Sequence, residues 1–200
     1  MLKPSIEIFN YWNELRGSAD APLRSDISPS SIRTILPNVF ILDGTLGNAL
    51  RFRLAGTLVC NLFGRELRDQ GFASLWSHSQ QSDLVAIVER VISQVTPMLV
   101  QATGHDGNDS RVRLEITLLP LCSSGARCDK VLGCFALAVS APWLGMKPLG
   151  LLIFDQARPV ITRSSTNGTV RQGQISRRFV VDDGTGFKAA AGRTANDDAS

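Results

Sequence analysis

The sequence lacks most of the features that announce chemistry. Its four cysteines, Cys60, Cys122, Cys128 and Cys134, contain no pair at the close CxxC spacing of a zinc ribbon or a thioredoxin-like site. No GxGxxG or Walker-type run opens a helix, so nucleotide cradling has no support. No GxSxG elbow is present, and no other catalytic constellation stands out, so an enzyme is not expected. No apolar run approaches the ~20 residues needed to span a membrane. The opening stretch, MLKPSIEIFNYWNELRG, lacks the apolar core of a signal peptide, which places the chain in the cytoplasm with all four thiols reduced. Charge of one sign is also scarce. Lys and Arg number 21 against 18 Asp and Glu, a formal +3 that is too weak to argue for a nucleic-acid partner. The nearest thing to a basic patch, Arg51, Arg53, Arg65 and Arg68, reads as a solvated face.

What is present is ordinary globular material: 44% apolar, 20% charged, with 17 Gly and 9 Pro. Ser5 caps a first helix to about Arg16, with Ile8, Phe9, Trp12 and Leu15 on one side and Gly17 as its stop. That face must pack on the domain's own sheet or on another copy of the chain. Ser28-Pro29 starts a short helical piece that Pro37 ends. Val39 to Asp43 and Leu50 to Ala55 read as a β-hairpin. Short helical pieces follow, carrying Phe63, Phe72 and Trp76. Ser79 to Val95 is the longest helix, with Leu84, Ile87, Val88, Val91, Ile92 and Val95 as its stripe.

Three strands close the domain: Met98 to Thr103, Arg111 to Leu121 and Val131 to Ser140. In the second, Val112, Leu114, Ile116 and Leu118 point inward while Arg111, Arg113, Glu115 and Thr117 point outward. The third is apolar on both faces, as a strand covered on two sides should be. The turn between the last two brings Cys122 and Cys128 into mutual reach. The pattern is an α+β domain with an antiparallel sheet. Residues 1–37 form the N-terminal helices and lead-in, and 38–154 the core. Residues 155–200, rich in Ser, Thr, Gly and Asn, are expected to be largely disordered with a brief strand at Arg178 to Val181; their removal should leave the core intact.

The stretch around which these elements turn is RFRLAGTLVCNLFGREL, Arg51 to Leu67. Leu50, Phe52 and Leu54 alternate with Arg51 and Arg53, giving one apolar and one basic face. Gly56-Thr57 supplies a sharp corner, and Leu58 to Phe63 a short helix closed by Gly64. Glu66 is placed to pair with an arginine.

The run NYWNELRG, then RSDISPSSIRTILPNVFILD, then RFRLAGTLVCNLFGREL, then LW before the long helix, resembles a bacterial PAS-domain family, the PAS_5 group, widespread in alphaproteobacteria. The WLG and PLG turns at Trp143 to Gly145 and Pro148 to Gly150 fit as well. The resemblance covers about Tyr11 to Gly150. It implies a PAS-like fold, a five-stranded antiparallel sheet with helices on one face and an N-terminal helix. It also implies a pocket between sheet and helices and a signalling role without catalysis. No kinase, cyclase or DNA-binding domain is attached, so output is expected to pass through an unidentified signalling protein, gated by a small-molecule ligand or not. A cofactor-binding sensor of heme, flavin or a metabolite is the alternative.

The expected pocket residues are Phe52, Leu54, Thr57, Phe63, Phe72, Trp76, Ile87 and Val91; the competing reading is that these side chains simply fill the core. PAS domains often dimerise through an N-terminal helix, so Ile8, Phe9, Trp12 and Leu15 are the expected homodimer interface. No cofactor is expected. His78 sits in a polar stretch and His105 in a turn, which argues against heme. Cys60 lacks the flanking Arg and Gln of a flavin photosensor motif. Asp106 and Asp109 in HDGND lack the remaining ligands of a calcium loop, and no metal is expected.

Overall fold

Alternation along Arg111–Ser124 sets the plan of the molecule: its even-numbered apolar side chains, Val112 to Leu118, enter one core, while Leu119 and Leu121 enter a second on the opposite face. A computed structural model describes residues 1–44, 50–107, 110–124, 127–139, 143–144, 146–160 and 187–188. Helix α1 (Lys3–Arg16) precedes strands β1 (Val39–Asp43) and β2 (Arg51–Ala55). Helices α2 (Thr57–Phe63) and α3 (Gln81–Ser93) follow, then β3 (Met98–His105), β4 (Arg111–Ser124), β5 (Arg127–Leu137), β6 (Leu151–Pro159) and the two-residue β7 (Phe187–Lys188). Short 3-10 turns fill the connections, at Pro29–Ile32, Phe72–Leu75 and His78–Gln80 among others. The strands form one sheet in the order β2-β1-β5-β4-β3-β6-β7, and every pairing is antiparallel.

The class is the α+β antiparallel arrangement expected from the sequence. Helices α2 and α3 cover the inner face. The stripe Leu84, Ile87, Val88, Val91 and Ile92 is buried there as the helical spacing requires. No helix among the described residues is long and apolar enough to cross a membrane.

The strand count is corrected. The sheet exceeds the expected five strands because Leu151–Pro159 pairs along the whole of β3. Leu152, Phe154 and Ala157 of that strand are buried in the inner core. The sheet thus runs past the expected core boundary at 154 into the stretch assigned to the tail; Arg178 to Val181 lie outside the described residues. Ending the chain at Asp155 would remove Gln156, whose amide meets Gln101 at 2.6 Å, and the buried Ala157. It would also remove the Val160 N–H bond to the Pro97 carbonyl. We expect that truncation to cost roughly 3 kcal/mol in urea unfolding. An unchanged midpoint would show that the end of β6 adds nothing.

Helix α1 lies across the outer face. Ile8 and Trp12 are buried there with Ile32, Ile35, Val39, Ile41, Leu119, Leu132 and Cys134. Trp12 Nε1 donates to the Pro120 carbonyl at 2.8 Å. Phe9 and Leu15 are partly buried against the same cluster. This corrects the expected homodimer interface: the stripe is used inside the chain, because the outer halves of β1, β4 and β5 are as apolar as the helix. Ser5 lies within the helix rather than capping it. Leu2 is the cap, and its N–H donates to the buried Glu115 carboxylate at 2.7 Å.

The expectation of four reduced thiols is corrected as well. Cys122 and Cys128 are joined in a disulfide, leaving Cys60 and Cys134 free. The β4–β5 register places the two residues directly opposite each other.

Candidate functional site

The corner from β2 into α2 is built by two departures from regular geometry. A bulge in the β1–β2 pairing sets Phe52 opposite Leu42 and Leu54 opposite Ile41. Phe52 is therefore fully buried on the inner face, and Leu54, thrown to the other side, is 40% exposed. Gly56 then passes so close to the main chain of Leu36 and Pro37 that a Cβ would overlap their carbonyls. Its N–H bonds the Val39 carbonyl at 2.8 Å, and α2 begins at the next residue. Thr57 is exposed and forms no side-chain cap.

Gly64 ends α2 in the left-handed conformation, φ 61°. The carboxylate of Glu66 then folds the chain back, accepting N–H bonds from Leu67 and Arg68 at 3.0 and 3.1 Å. It also accepts from the Cys60 thiol at 3.5 Å. Those donors, the Arg68 N–H foremost, hold the Glu66 carboxyl below the usual carboxylate range. Glu66 serves the backbone here and forms no ion pair among the described residues, contrary to the expected pairing with an arginine. The Cys60 thiol is pushed up, by burial first and then by the Glu66 charge. The returning segment covers the β2 edge: Phe52 N–H bonds the Gln70 carbonyl, Asp69 N–H bonds the Phe52 carbonyl, and Arg51 reaches the Asp69 carbonyl.

Behind this corner the inner core is a cluster of rings. Phe40 lies 5.5 Å from Phe52, 5.9 Å from Phe72 and 5.2 Å from Phe135. Phe63 meets Phe135 edge-on, and Trp76 meets Phe72 likewise. Of the eight expected pocket residues, Phe52, Phe63, Phe72, Trp76, Ile87 and Val91 converge in this core. Leu54 and Thr57 do not, for the reasons given by the bulge and the corner. Trp76 Nε1 is buried and has no acceptor among the described residues. His78 is exposed and His105 ends β3, both outside the core. Asp106 accepts the Ser110 N–H and lies 3.9 Å from the Lys147 ammonium, while Asp109 falls outside the described residues.

The outer face offers a second feature. Helix α1 covers β1, β5 and the C-terminal half of β4, and leaves the rest open among the described residues. There Thr103, Arg111 and Arg113 border a shallow cavity of about 270 Å³. Beside them β6 presents Leu151 and Ile153, both exposed, in register with His105 and Thr103. Thr103 Oγ1 donates to Asp155 at 3.0 Å. The alternation of β4 already pointed Arg111 and Arg113 outward. Nothing in the sequence said which half of the face α1 would leave bare.

Among solved structures the chain is similar to the Rhodobacter sphaeroides LOV protein, at 13% identity over 58% of this chain and 71% of that one, TM-score 0.43. It is similar too to a substituted form of RsLOV, at 13% identity over 55% and 67%, TM-score 0.44. No curated protein matches it. The expectation that no cofactor is bound is withdrawn, both of these solved structures being LOV proteins. Among the described residues the phenylalanine cluster lies between sheet and helices, and the Cys60 thiol points to Glu66 and the Ala55 carbonyl. The family model for PAS_5, a PAS domain, matches residues 1–136, from α1 almost to the end of β5. That span takes in the corner, both helices of the inner cover and the ring cluster, and by it the chain belongs to the PAS_5 family of PAS domains.

Proposed function

We propose that this protein is a bacterial cytoplasmic regulatory module without catalysis of its own, which delivers its output by docking a partner signalling protein. PAS domains are sensory and signalling modules, and that much follows from the family. The observation that carries the docking reading is the open part of the outer face. Two arginines, Arg111 and Arg113, stand beside the exposed aliphatic side chains Leu151 and Ile153. An apolar centre next to guanidinium groups suits a protein surface with an acidic rim. Self-association, where it occurs, has this face to use rather than Ile8 and Trp12, which are already buried. Placing a photo-crosslinking residue at Ile153 in the native cell tests the reading. A discrete adduct with a second protein is expected there and not from the same residue at Lys3. Equal labelling at both positions would remove the docking surface.

Gating by a small ligand is a second reading, favoured by the buried Trp76 N–H that lacks an acceptor. A ligand carbonyl or carboxylate entering the ring cluster would supply one, and leaving that donor unmet costs about 1–3 kcal/mol. Native mass spectrometry of protein isolated from its own cells is expected to show a small adduct that unfolding releases and Trp76→Phe weakens. A bare mass would leave docking without this gate.

A further inference from the structure

We propose that Cys122 and Cys128 form a reversible thiol–disulfide site, which takes a low-molecular-weight disulfide such as oxidised glutathione and couples its redox state to the segment after α1. The two residues face each other at the end of the β4–β5 hairpin, and their sulfurs are bonded in this structure. They are only six apart in sequence. A bridge across so short a loop, already closed by strand pairing, restrains the unfolded chain little, so stapling the fold is a weak reason for it. Access differs between the two: Cys122 is buried, whereas Cys128 is part-exposed at the edge of the outer cluster. That asymmetry provides an attacking sulfur and a resolving one.

The chemistry balances. From the dithiol, the Cys128 thiolate attacks one sulfur of oxidised glutathione and expels one glutathione thiolate, leaving a mixed disulfide. The Cys122 thiolate attacks the Cys128 sulfur and expels the second glutathione thiolate. The protein loses two electrons and two protons, and one disulfide becomes two thiols. Reduction by glutathione reverses both steps. The other cysteines do not compete. Cys134 is buried with its thiol pushed up to about 12 by desolvation, and the Cys60 thiol is engaged by the Glu66 carboxylate at 3.5 Å and pushed up by burial.

The coupling is written in the backbone. The Cys122 N–H bonds the Pro22 carbonyl at 3.1 Å, and Leu23 bridges Cys122 in parallel. Ala21 and Leu23 in turn pack into the cluster that holds α1 on the sheet. On the other side Asp129 ties the two strands beside the cysteine pair, accepting from Ser123 N–H and Oγ at 3.1 and 2.9 Å. Oxidation therefore tightens the hairpin end against which residues 21–23 rest.

The full-length protein is equilibrated in buffers of graded reduced-to-oxidised glutathione ratio, acid-quenched, denatured, alkylated and weighed intact. We expect the number of alkylated thiols to move reversibly between four and two across the series. It should stay at three throughout in Cys128→Ser, whereas Cys122→Ser should stop at the mixed disulfide, falling from three to two with one glutathione added to its mass. A wild-type count fixed at two in fully reduced glutathione, or at four in fully oxidised glutathione, would overturn the site whether or not the variants fold. Amide exchange tests the coupling on the wild type alone. The Cys122 N–H should exchange on the order of tenfold faster in the reduced form, and equal rates in the two forms would overturn it.

Discussion

Replacing Trp12 with Glu is expected to remove most of the stability of this domain while leaving the mass of whatever remains folded unchanged. Trp12 is 1% exposed, stacks on Phe9 at 6.1 Å, lies under the Arg16 guanidinium and bonds the Pro120 carbonyl. Truncating a buried tryptophan costs about 3–5 kcal/mol. Stranding the Pro120 carbonyl adds about 1–3 kcal/mol, and a carboxylate at this site must in addition leave water. Against a total of about 5–15 kcal/mol for an ordinary domain, little is left. Trp12→Phe keeps a ring but loses the N–H, and should fall between the variant and the parent. Urea unfolding and light scattering together decide the matter. A stable Trp12→Glu protein of halved mass would return the dimer interface to α1.

The second large effect is expected from a single methyl group. Gly133 lies in β5 opposite Phe40 of β1, and a Cβ at that position would fall within the Phe40 ring. The ring has nowhere to go, being fully buried among Phe52, Phe72 and Phe135. Gly133→Ala should therefore cost about 3 kcal/mol, at the upper end of ordinary overpacking. A cycle with Phe40→Leu isolates the cause. In that background the same alanine should cost less than about 1 kcal/mol, giving a coupling of roughly 2 kcal/mol. Additive effects would mean that Gly133 matters for its backbone and not for the ring above it.

Legibility in the sequence followed local periodicity and ended where two distant segments had to meet. The stripe of α3 and the alternation of β4 were readable because each is written in one continuous run. The family resemblance likewise rested on runs of contiguous residues, and it held. The bulge that sends Leu54 away from Phe52 left no mark, since RFRLA alternates perfectly on paper. The covering of the outer sheet by α1 was one of two options that its stripe allowed, and only the apolar outer residues of β4 and β5 decide between them. Strand β6 was hidden behind a Pro- and Gly-rich lead-in, although Leu152 and Phe154 carry the alternation of a half-buried strand. The Cys122–Cys128 pairing depends on register, which spacing alone does not give. Gly133, by contrast, did carry a signal: a glycine inside an apolar strand marks a close approach, and here it is an aromatic ring that approaches.

The docking surface is the part of the account with the greatest reach, and its arginines permit a direct test. Wild-type protein and the double variant Arg111→Glu, Arg113→Glu are used side by side as baits in extract from the native cell, with bound proteins quantified by mass spectrometry. Both side chains are exposed, so the variant is expected to keep its fold, and its unfolding midpoint is checked in parallel. The account predicts that at least one protein enriched by the wild type falls by tenfold or more with the variant, the consequence of reversing two charges at an interface. An identical set of bound proteins at identical abundance on the two baits would contradict it.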